Sequence, residues 1–561
     1  MWDNLGTTNA ERLAASFQKE KKVFIAFYSS LKTRRKFMKT KFTTHKKQLS
    51  ALVCATLLGF PWGGANAITA GVVGNNSEEG FTSASENISG NIGIYAVGTK
   101  ASAIAENITI SSDMYAALYA YNGGVINVGG DSTKSVIITS TSDGINAVNL
   151  EKKGAAFVSV KASESVSIVS DTFALWAQNG TQSTQAPESH SSITVEAPTI
   201  SIEGKEEAIV AFSNGEINVT GNATIKGGSA LIDTRGYASV NINRDNSNAT
   251  TVLEGDIVFE TPNVEGGDGN FSGNLIDAFV NINLSGEGSS WTGRSYQSYK
   301  YVDASNGTVA VVTSEIGENR EYFGQVSGLV LSVAKGAKWE TTGDSFANVL
   351  NMDSGNLSLA ADSVLHANDF IVAGDSNTIN FGNGANINGT IEDQGTLYMT
   401  GDVSSFTGVL NVMGKASVGL TAEEASETLN PMQGSVLVVK AGTTLNGSTS
   451  VGSSASATSN GSSLSVLSDG TLAIVATDDY TEGTPLVTVG TASTEDGSTV
   501  KLVNAVKIAD GTTVFATSDG SAPSEYSLVT DNLLKVVENN QIVSQSASTA
   551  LGGNVLTPQC N

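Results

Sequence analysis

A triplet of short apolar segments recurs five times along the first third of this 561-residue chain, and it limits the fold more than any other feature. The first segments of successive triplets start 28, 30, 34 and 23 residues apart. Three strands per period of this length are typical of solenoids, in which each repeat buries its apolar face against its neighbours. The sequence therefore predicts an all-β fold, a right-handed parallel β-helix. The first segments are residues 108–110, 136–138, 166–168, 200–202 and 223–225.

Apolar and polar residues alternate within each segment, as in a strand with one buried face. Aligning the middle segments places large aliphatic residues in one column and alanines in a second, and both columns are predicted to point inward. The members are Ile94, Leu118, Ile145 and Leu175, then Ala96, Ala120, Ala147 and Ala177. The column between them is predicted to point outward and holds Tyr95, Tyr119, Asn146 and Trp176. At the next repeat Phe212 takes the alanine position, which predicts a bulge or register shift there.

Turn residues separate the segments. Asn-Gly pairs stand at residues 122–123, 179–180 and 214–215. Glycine, and asparagine beside it, tolerate the positive φ that a sharp corner between strands requires. We therefore expect each pair to form a corner of the solenoid.

Charge is divided sharply along the chain. Residues 1–67 hold 12 of the 31 basic residues and 3 of the 55 acidic ones, which leaves 19 basic and 52 acidic residues for the remainder. A protein this acidic repels nucleic acid and anionic membrane surfaces, so neither is an expected partner.

The N-terminal segment, residues 1–67, has the features of a secretory signal. A basic stretch with Lys39 and Lys41 precedes an apolar core at residues 49–60, and the small residues Ala65 and Ala67 frame a cleavage site. The apolar core is too short to span a membrane. Met38 would begin this signal at a natural length, and a genuine N-terminal extension is the alternative. The sequence therefore predicts export through the inner membrane.

Signals for catalysis or metal binding are sparse. After cleavage, only His190 and His366 remain, in different repeats, and both are predicted to be exposed turn residues. They cannot form the paired-histidine zinc motif, and no nucleophile-elbow or phosphate-loop motif occurs. Cys560 would be the single remaining cysteine, which rules out an internal disulfide. We expect no metal, no cofactor and no catalytic residues, and hence a protein that is not an enzyme.

Two segments carry a resemblance to a known family. An apolar strand at residues 280–284 leads to a Gly/Ser turn and Trp291, and a second strand at residues 329–333 leads in the same way to Trp339. Together with the signal, the repeats and the acidity, this pattern resembles the passenger regions of Gram-negative autotransporters of the pertactin-like type. Both tryptophans are predicted to serve packing rather than ligand binding.

The resemblance covers residues 68–420, which would form the β-helical passenger. It implies a monomeric rod that is displayed on the cell surface or secreted, and that acts as an adhesin-like scaffold. Its partner would be a host or surface glycan or a protein ligand. Members of this family attach to the outer membrane through a C-terminal β-barrel, and no such barrel is present up to Asn561. Outer-membrane attachment is therefore expected only through a barrel that this chain lacks.

Residues 421–561 form a less regular β-rich segment. Residues 421–429 predict one short helix that ends before Pro431. Strands are predicted at residues 435–439, 471–475, 500–503 and 513–515, and the Ser/Gly/Thr-rich residues 446–463 predict a loop or linker.

The candidate ligand-binding residues are Tyr95, Tyr119 and Trp176, the aromatic members of the predicted outward column. Aromatic rings on the face of a β-helix can stack on sugar rings, and exposed apolar patches often mark binding sites. The alternative is that a loop, residues 181–191, folds over them and buries them.

The sequence leaves two other functions open. A secreted β-helical polysaccharide lyase or glycosidase would need convergent carboxylates with calcium or a basic residue in one groove. Clustered Asp, Glu and Arg across three consecutive repeats would favour that enzyme. The second of these functions is that of an inert stalk that presents a separate module, although no such module is visible in the sequence.

Overall fold

The computed structural model describes residues 70–545 apart from 76–79, 151–153, 181–189, 261–277, 303–308, 314–327, 459–460, 521, 524–525 and 533. The predicted signal peptide, including Ala65 and Ala67, and Cys560 lie outside these residues. The described part is almost entirely β-structure, with α1 (Ala422–Leu429) as its single α-helix and short 3₁₀ helices at Val403–Ser405 and Ala505–Lys507.

The strands are short, as the segment lengths predicted, and several long ones span a corner. In the first half they are β1 Ala70–Val73, β2 Phe81–Ser83, β3 Asn87–Gly90, β4 Ile92–Val97, β5 Lys100–Ala103, β6 Asn107–Ser112, β7 Leu118–Tyr121, β8 Val125–Gly129, β9 Ser135–Ser140, β10 Ile145–Asn149, β11 Phe157–Lys161, β12 Ser165–Ser170, β13 Phe173–Asn179, β14 Ser191–Gly204, β15 Glu207–Phe212, β16 Gly215–Gly227, β17 Ala230–Arg235, β18 Ser239–Ile242, β19 Thr251–Glu254, β20 Ile257–Glu260, β21 Phe279–Leu284, β22 Ser290–Thr292 and β23 Ser295–Val302.

The second half continues in the same manner. Its strands are β24 Val309–Thr313, β25 Gly328–Ala334, β26 Lys338–Glu340, β27 Ser345–Asp353, β28 Asn356–Leu359, β29 Val364–Ala373, β30 Asn377–Phe381, β31 Asn386–Asp393, β32 Thr396–Gly401, β33 Val409–Val412, β34 Lys415–Val418, β35 Ser435–Lys440, β36 Thr443–Leu445, β37 Ser448–Val451, β38 Ser463–Val466, β39 Gly470–Val475, β40 Val487–Val489, β41 Thr491–Thr494, β42 Thr499–Val503, β43 Phe515–Thr517, β44 Ser527–Thr530, β45 Lys535–Glu538 and β46 Gln541–Ser544.

Strands one repeat apart pair in parallel and form three ladders. Ladder 1 runs through β3, β6, β9 and β12, ladder 2 through β4, β7, β10 and β13, and ladder 3 through β5, β8 and β11. The chain visits ladders 1, 2 and 3 in turn, and β14 and β16 each contribute one half to ladder 3 and the other half to ladder 1. Long parallel sheets of this kind are consistent with the predicted solenoid.

The predicted register is confirmed across the first repeats. Ile94, Leu118, Ile145 and Leu175 pair in succession, and so do the four alanines two residues further on. The prediction for Phe212 is wrong, because Ala211 pairs with Ala177 and keeps the alanine column, while Phe212 pairs with Gln178 on the outer face. The shift in this region lies instead in the pairing of β14 with β16, between Glu196 and Thr199.

Asparagines form the corners between ladders 2 and 3. Asn122 and Asn214 adopt positive φ angles of 45° and 66°, as the Asn-Gly pairs predicted. The side-chain amide of Asn149 donates to the Oδ1 of Asn179 one repeat later, at 2.6 Å. These two corners are therefore tied together by a side-chain hydrogen bond as well as by the strand pairing.

One hydrophobic core extends from Val72 to Ile542 through the interior of the ladders. Ladder 1 continues from β16 to β35 through β19, β22, β26, β28, β30, β32 and β34. A second, smaller cluster lies on its outer face, where Ala425 and Leu429 of α1 pack against Val436 and Val438 of β35. The helix thus shields a part of this sheet whose outward residues are apolar.

The sheets continue through the C-terminal segment. β34 pairs with β35 across the helix, and β33 pairs with β37. The prediction of a loop at residues 446–463 is therefore wrong in part, because it contains β37, all four residues of which are buried. Because β37 pairs with β33, serines and threonines whose composition is typical of a linker form a buried strand instead.

Candidate functional site

The three candidate aromatics stand on the outer face of ladder 2. β4, β7, β10 and β13 pair in register and place Tyr95, Tyr119, Asn146 and Trp176 in one column, as predicted. The structure brings the two tyrosines together and separates Trp176 from them by the intervening Asn146. All three aromatic side chains are half-buried.

Tyr95 and Tyr119 form a stacked pair with ring centroids 5.7 Å apart and planes inclined by 10°. Tyr121 stacks on Tyr119 from the neighbouring outward position of β7, at 5.8 Å and 16°. Offset stacking at such distances stabilises an aromatic cluster beyond its apolar burial. This tyrosine cluster is therefore a rigid aromatic surface at the N-terminal end of ladder 2.

Burial controls the acidity of the phenols in this cluster. It raises the pKa of Tyr119 well above its ordinary value, and the nearby Tyr121, Tyr95 and Asp143 raise it further. Burial also raises the pKa of Tyr115 to about 12, and its hydroxyl has no hydrogen-bond partner among the described residues. These phenols stay protonated at neutral pH, so they can act as hydrogen-bond donors but not as bases.

Beyond the tyrosines, the residues on the outer face of ladder 2 are buried. Asn146 is only 3% exposed and donates through Nδ2 to the Oδ2 of Asp143 at 3.0 Å. Val148, Val210 and Gln178, on the same face, are also buried. The predicted column thus faces outward, but it is not a continuous solvent-exposed stripe.

Trp176 makes a local contact of its own. Its ring meets that of Phe173 edge to face, with centroids 5.8 Å apart. Of residues 181–191, the loop that the sequence predicted as an alternative cover for the aromatics, residues 181–189 lie outside the described residues.

Both histidines differ from their predicted setting. His366 lies within β29 rather than in a turn, and His190 directly precedes β14. Both side chains are half-buried, so the prediction that they are exposed is wrong. In the described ranges, no group of three or more His, Cys, Asp or Glu side chains is placed to hold a metal ion.

Lysines and carboxylates of successive repeats pair at the surface. The pairs are Lys134–Glu106 at 2.6 Å, Lys161–Glu196 at 3.0 Å, Lys205–Asp171 at 2.5 Å and Lys226–Glu254 at 2.8 Å. Exposed pairs of this kind contribute little to stability because solvent screens them. Each of these four lysines is therefore paired with a carboxylate of a neighbouring repeat.

Arg294 lies between a carboxylate and an aromatic ring. Its backbone N–H and its Nε donate to the two carboxylate oxygens of Asp256, at 3.1 and 3.2 Å, and its guanidinium lies 4.6 Å from the ring centroid of Tyr296. The contact with Asp256 joins adjacent repeats at the corner between ladders 1 and 2, whereas the contact with Tyr296 lies within one repeat. Among the described residues, Asp256 is the one carboxylate that pairs with this guanidinium.

A second surface, on the outer face of ladder 3, was not predicted from the sequence. Phe157 and Phe279 are exposed there, at 42% and 39%. Asn218, Asn241 and Asn281 follow one another in register beside them. We call these five residues the ladder 3 strip. The signal was present in the sequence, because the third segments of the triplets repeat an asparagine at one outward position.

No family model matches the chain, and no curated protein or solved structure is significantly similar to it. Across the part of the chain that the structure describes, no helix is long and apolar enough to cross a membrane.

Proposed function

We propose that this chain is an exported, right-handed parallel β-helix of the autotransporter-passenger type that acts by binding. It would be displayed on the cell surface or released, as an adhesin-like scaffold that recognises a glycan or a protein. The observation that carries the proposal is the stack of three parallel ladders around one continuous core. Such a stack offers long, rigid outer faces of regularly spaced side chains.

The right-handed sense follows from a general rule. Connections between parallel strands of one sheet are right-handed in nearly all proteins, because the twist of the strands favours that crossover. In the repeats from β3 to β16, the chain connects parallel strands in all three ladders. A monomeric rod is the corresponding expectation for the assembly.

Export can be tested on the full chain expressed in a Gram-negative host. We expect processing after Ala67, so that N-terminal sequencing of the mature protein begins at Ile68. Ala67→Arg should block processing, because a small residue is required before the cleaved bond. Asn66→Ser is the matched control and should be processed normally. A chain that remains unprocessed in the cytoplasm would contradict the proposal.

Binding can be tested separately with the processed protein, labelled and added to cultured animal cells and to bacteria. Saturable binding to either surface, measured by flow cytometry and lost after thermal unfolding, is the expected result. Release of new reducing ends or unsaturated sugars from a panel of polysaccharides would instead support the lyase or glycosidase alternative.

A further inference from the structure

We infer that the ladder 3 strip binds a neutral, extended polysaccharide that lies along the axis of the stack. This inference rests on the proposed binding function and names its ligand class. It concerns residues that are distinct from Tyr95, Tyr119 and Trp176.

The two phenylalanines occupy equivalent outward positions at opposite ends of the strip. The column from β11 to β21 reads Phe157, Ser192, Glu216, Ser239 and Phe279, each paired with the next. Four steps of about 4.8 Å between strands place the two rings roughly 19 Å apart along the stack. The three residues between them are half-buried and short or polar. The column therefore forms a low polar floor between two raised aromatic side chains.

A chain of amide hydrogen bonds runs beside this floor. Asn281 donates to the Oδ1 of Asn241 at 2.8 Å, and Asn241 donates to the Oδ1 of Asn218, also at 2.8 Å. Asn218 in turn donates to a carboxylate oxygen of Glu216 at 3.0 Å. These bonds fix the orientation of three amides, and a chain of aligned hydrogen bonds polarises its members cooperatively.

The amide chain has an open acceptor at one end. No described residue donates to the Oδ1 of Asn281, since Val330 occupies the next position of the column. Asn281 stands two residues from Phe279 on the same outward face of β21. A preoriented acceptor thus lies beside an exposed aromatic ring.

This combination matches the chemistry of sugars. A pyranose ring presents an apolar face, which stacks on an aromatic side chain, and a rim of hydroxyls, which bond to fixed amides and carboxylates. The spacing of successive strands is close to the length of one sugar unit in an extended chain. Neighbouring units could therefore meet equivalent side chains in neighbouring repeats.

The charged side chains around the ladder 3 strip favour a neutral ligand. Lys161 borders the strip, but its ammonium group is bound by Glu196 at 3.0 Å and Asp131 at 3.2 Å. Glu216 adds a negative charge to the floor itself. An anionic polysaccharide would meet net repulsion along the strip, whereas a neutral one would not.

Isothermal titration calorimetry of the full chain with cellohexaose, mannohexaose and fully N-acetylated chitohexaose tests the inference. We expect at least one hexasaccharide to bind, and Phe157→Ala and Phe279→Ala each to weaken it about tenfold, because each removes a stacking surface. Asn281→Ala should weaken binding as well. Phe279→Trp keeps an aromatic ring and should retain or strengthen it.

The matched control is Ile137→Ala, which removes a 43% exposed apolar side chain from the outer face of ladder 1 and should leave affinity unchanged. The inference is overturned if no hexasaccharide binds, or if both phenylalanine variants bind as the parent does. Cell binding that persists in the double phenylalanine variant would refute this site and leave the proposed function standing. Hexasaccharide binding that is not accompanied by cell binding would support this site and contradict the proposed function.

Discussion

Trp291 stacks on Trp339 inside the core, with ring centroids 4.8 Å apart and planes within 4° of parallel. The two residues are paired in register on β22 and β26, and both are fully buried. Each indole N–H donates to a glycine carbonyl of the preceding repeat, Trp291 to Gly255 at 2.9 Å and Trp339 to Gly293 at 3.1 Å. The pair therefore joins three successive repeats.

Replacing Trp339 with Phe should destabilise this region by about 2–4 kcal/mol, because it leaves the Gly293 carbonyl unsatisfied and weakens the stack. Urea unfolding followed by far-UV circular dichroism should show this loss as a lower midpoint for Trp339→Phe. Trp176→Phe is the control, since Trp176 packs on Phe173 and not on another indole, and it should lower the midpoint less. A Trp339→Phe midpoint equal to that of the parent would show that the stack and its hydrogen bond do not stabilise this region.

Features that depend on strand alternation could be predicted from the sequence. The packing role of Trp291 and Trp339 is confirmed, and so are the inward columns of ladder 2 and the helix at residues 421–429. For the tryptophans and the columns, one repeat shows the pattern of the next, because side chains stack on equivalent side chains. The helix was predicted from local signals, since its sequence ends before Pro431. The handedness of the stack stays a prediction.

Burial of the outer faces could not be predicted in this way. Asn146 and Trp176 share one outward column, yet Asn146 is buried and Trp176 half-buried. An outer face is buried by segments that are distant in sequence, and strand periodicity does not predict which segments these are. The ladder 3 strip was missed for a related reason, since Phe157 and Phe279 stand 122 residues apart and become related only through the stacking register.

Asp393 occupies an inward position where an apolar residue would be expected. It is paired between Val372 of β29 and Val412 of β33 and is fully buried. The Gly395 backbone N–H donates to its Oδ1 at 3.1 Å, whereas its Oδ2 has no partner in the described ranges. The nearest charged residues on these strands, Glu392 and Asp369, stand on the outer side.

Burial raises the pKa of Asp393 to about 8, so the folded protein holds this proton at neutral pH. The unfolded chain releases it at about pH 3.9, which means that the folded state binds more protons between these values. Stability should therefore fall as pH rises from about 4 to 8, by up to about 5 kcal/mol.

Asp393→Asn should remove this pH dependence and raise the urea midpoint at pH 8 while changing it little at pH 4. Urea unfolding of both proteins across this range, followed by far-UV circular dichroism, measures the difference. Asp369→Asn, an exposed carboxylate on β29, is the control and should follow the parent. Parallel pH profiles for the parent and Asp393→Asn would contradict a buried neutral carboxyl.

Gly221 lies at the corner of β16 between ladders 3 and 1, where its φ is 143°. A Cβ added there would lie 1.7 Å from the carbonyl oxygen of Ala197 in the preceding repeat. Both backbone polar groups of Gly221 are bonded by the side-chain amide of Asn243, at 2.9 and 2.8 Å. The backbone is thus held from both sides and cannot move away.

Gly221→Ala should therefore cost about 2–5 kcal/mol, through steric overlap and an unfavourable φ. Gly343→Ala is the control, because its nearest neighbour is the flexible side chain of Arg294 at 3.3 Å. Thermal unfolding of the two variants gives the comparison. Equal melting temperatures would mean that this corner is looser than its geometry indicates.

Helix α1 begins with a reciprocal capping box. The Glu424 N–H donates to the Thr421 hydroxyl at 3.3 Å, and the Thr421 N–H donates to the Glu424 carboxylate at 2.9 Å. Thr421→Ala should destabilise the helix by about 1 kcal/mol, since it leaves a helical N–H without its cap. The loss should appear as faster amide hydrogen exchange at residues 425–430.

Ser426→Ala is the matched control, because the Ser426 hydroxyl donates to the Glu423 carbonyl within the helix and caps neither end. The strands beneath should keep their protection in Thr421→Ala, since β34 and β35 pair with each other and with the main core. Opening of α1 alone would expose Val436 and Val438 without disturbing the stack. Faster exchange throughout β34 and β35 would instead mean that the helix and the ladder unfold together.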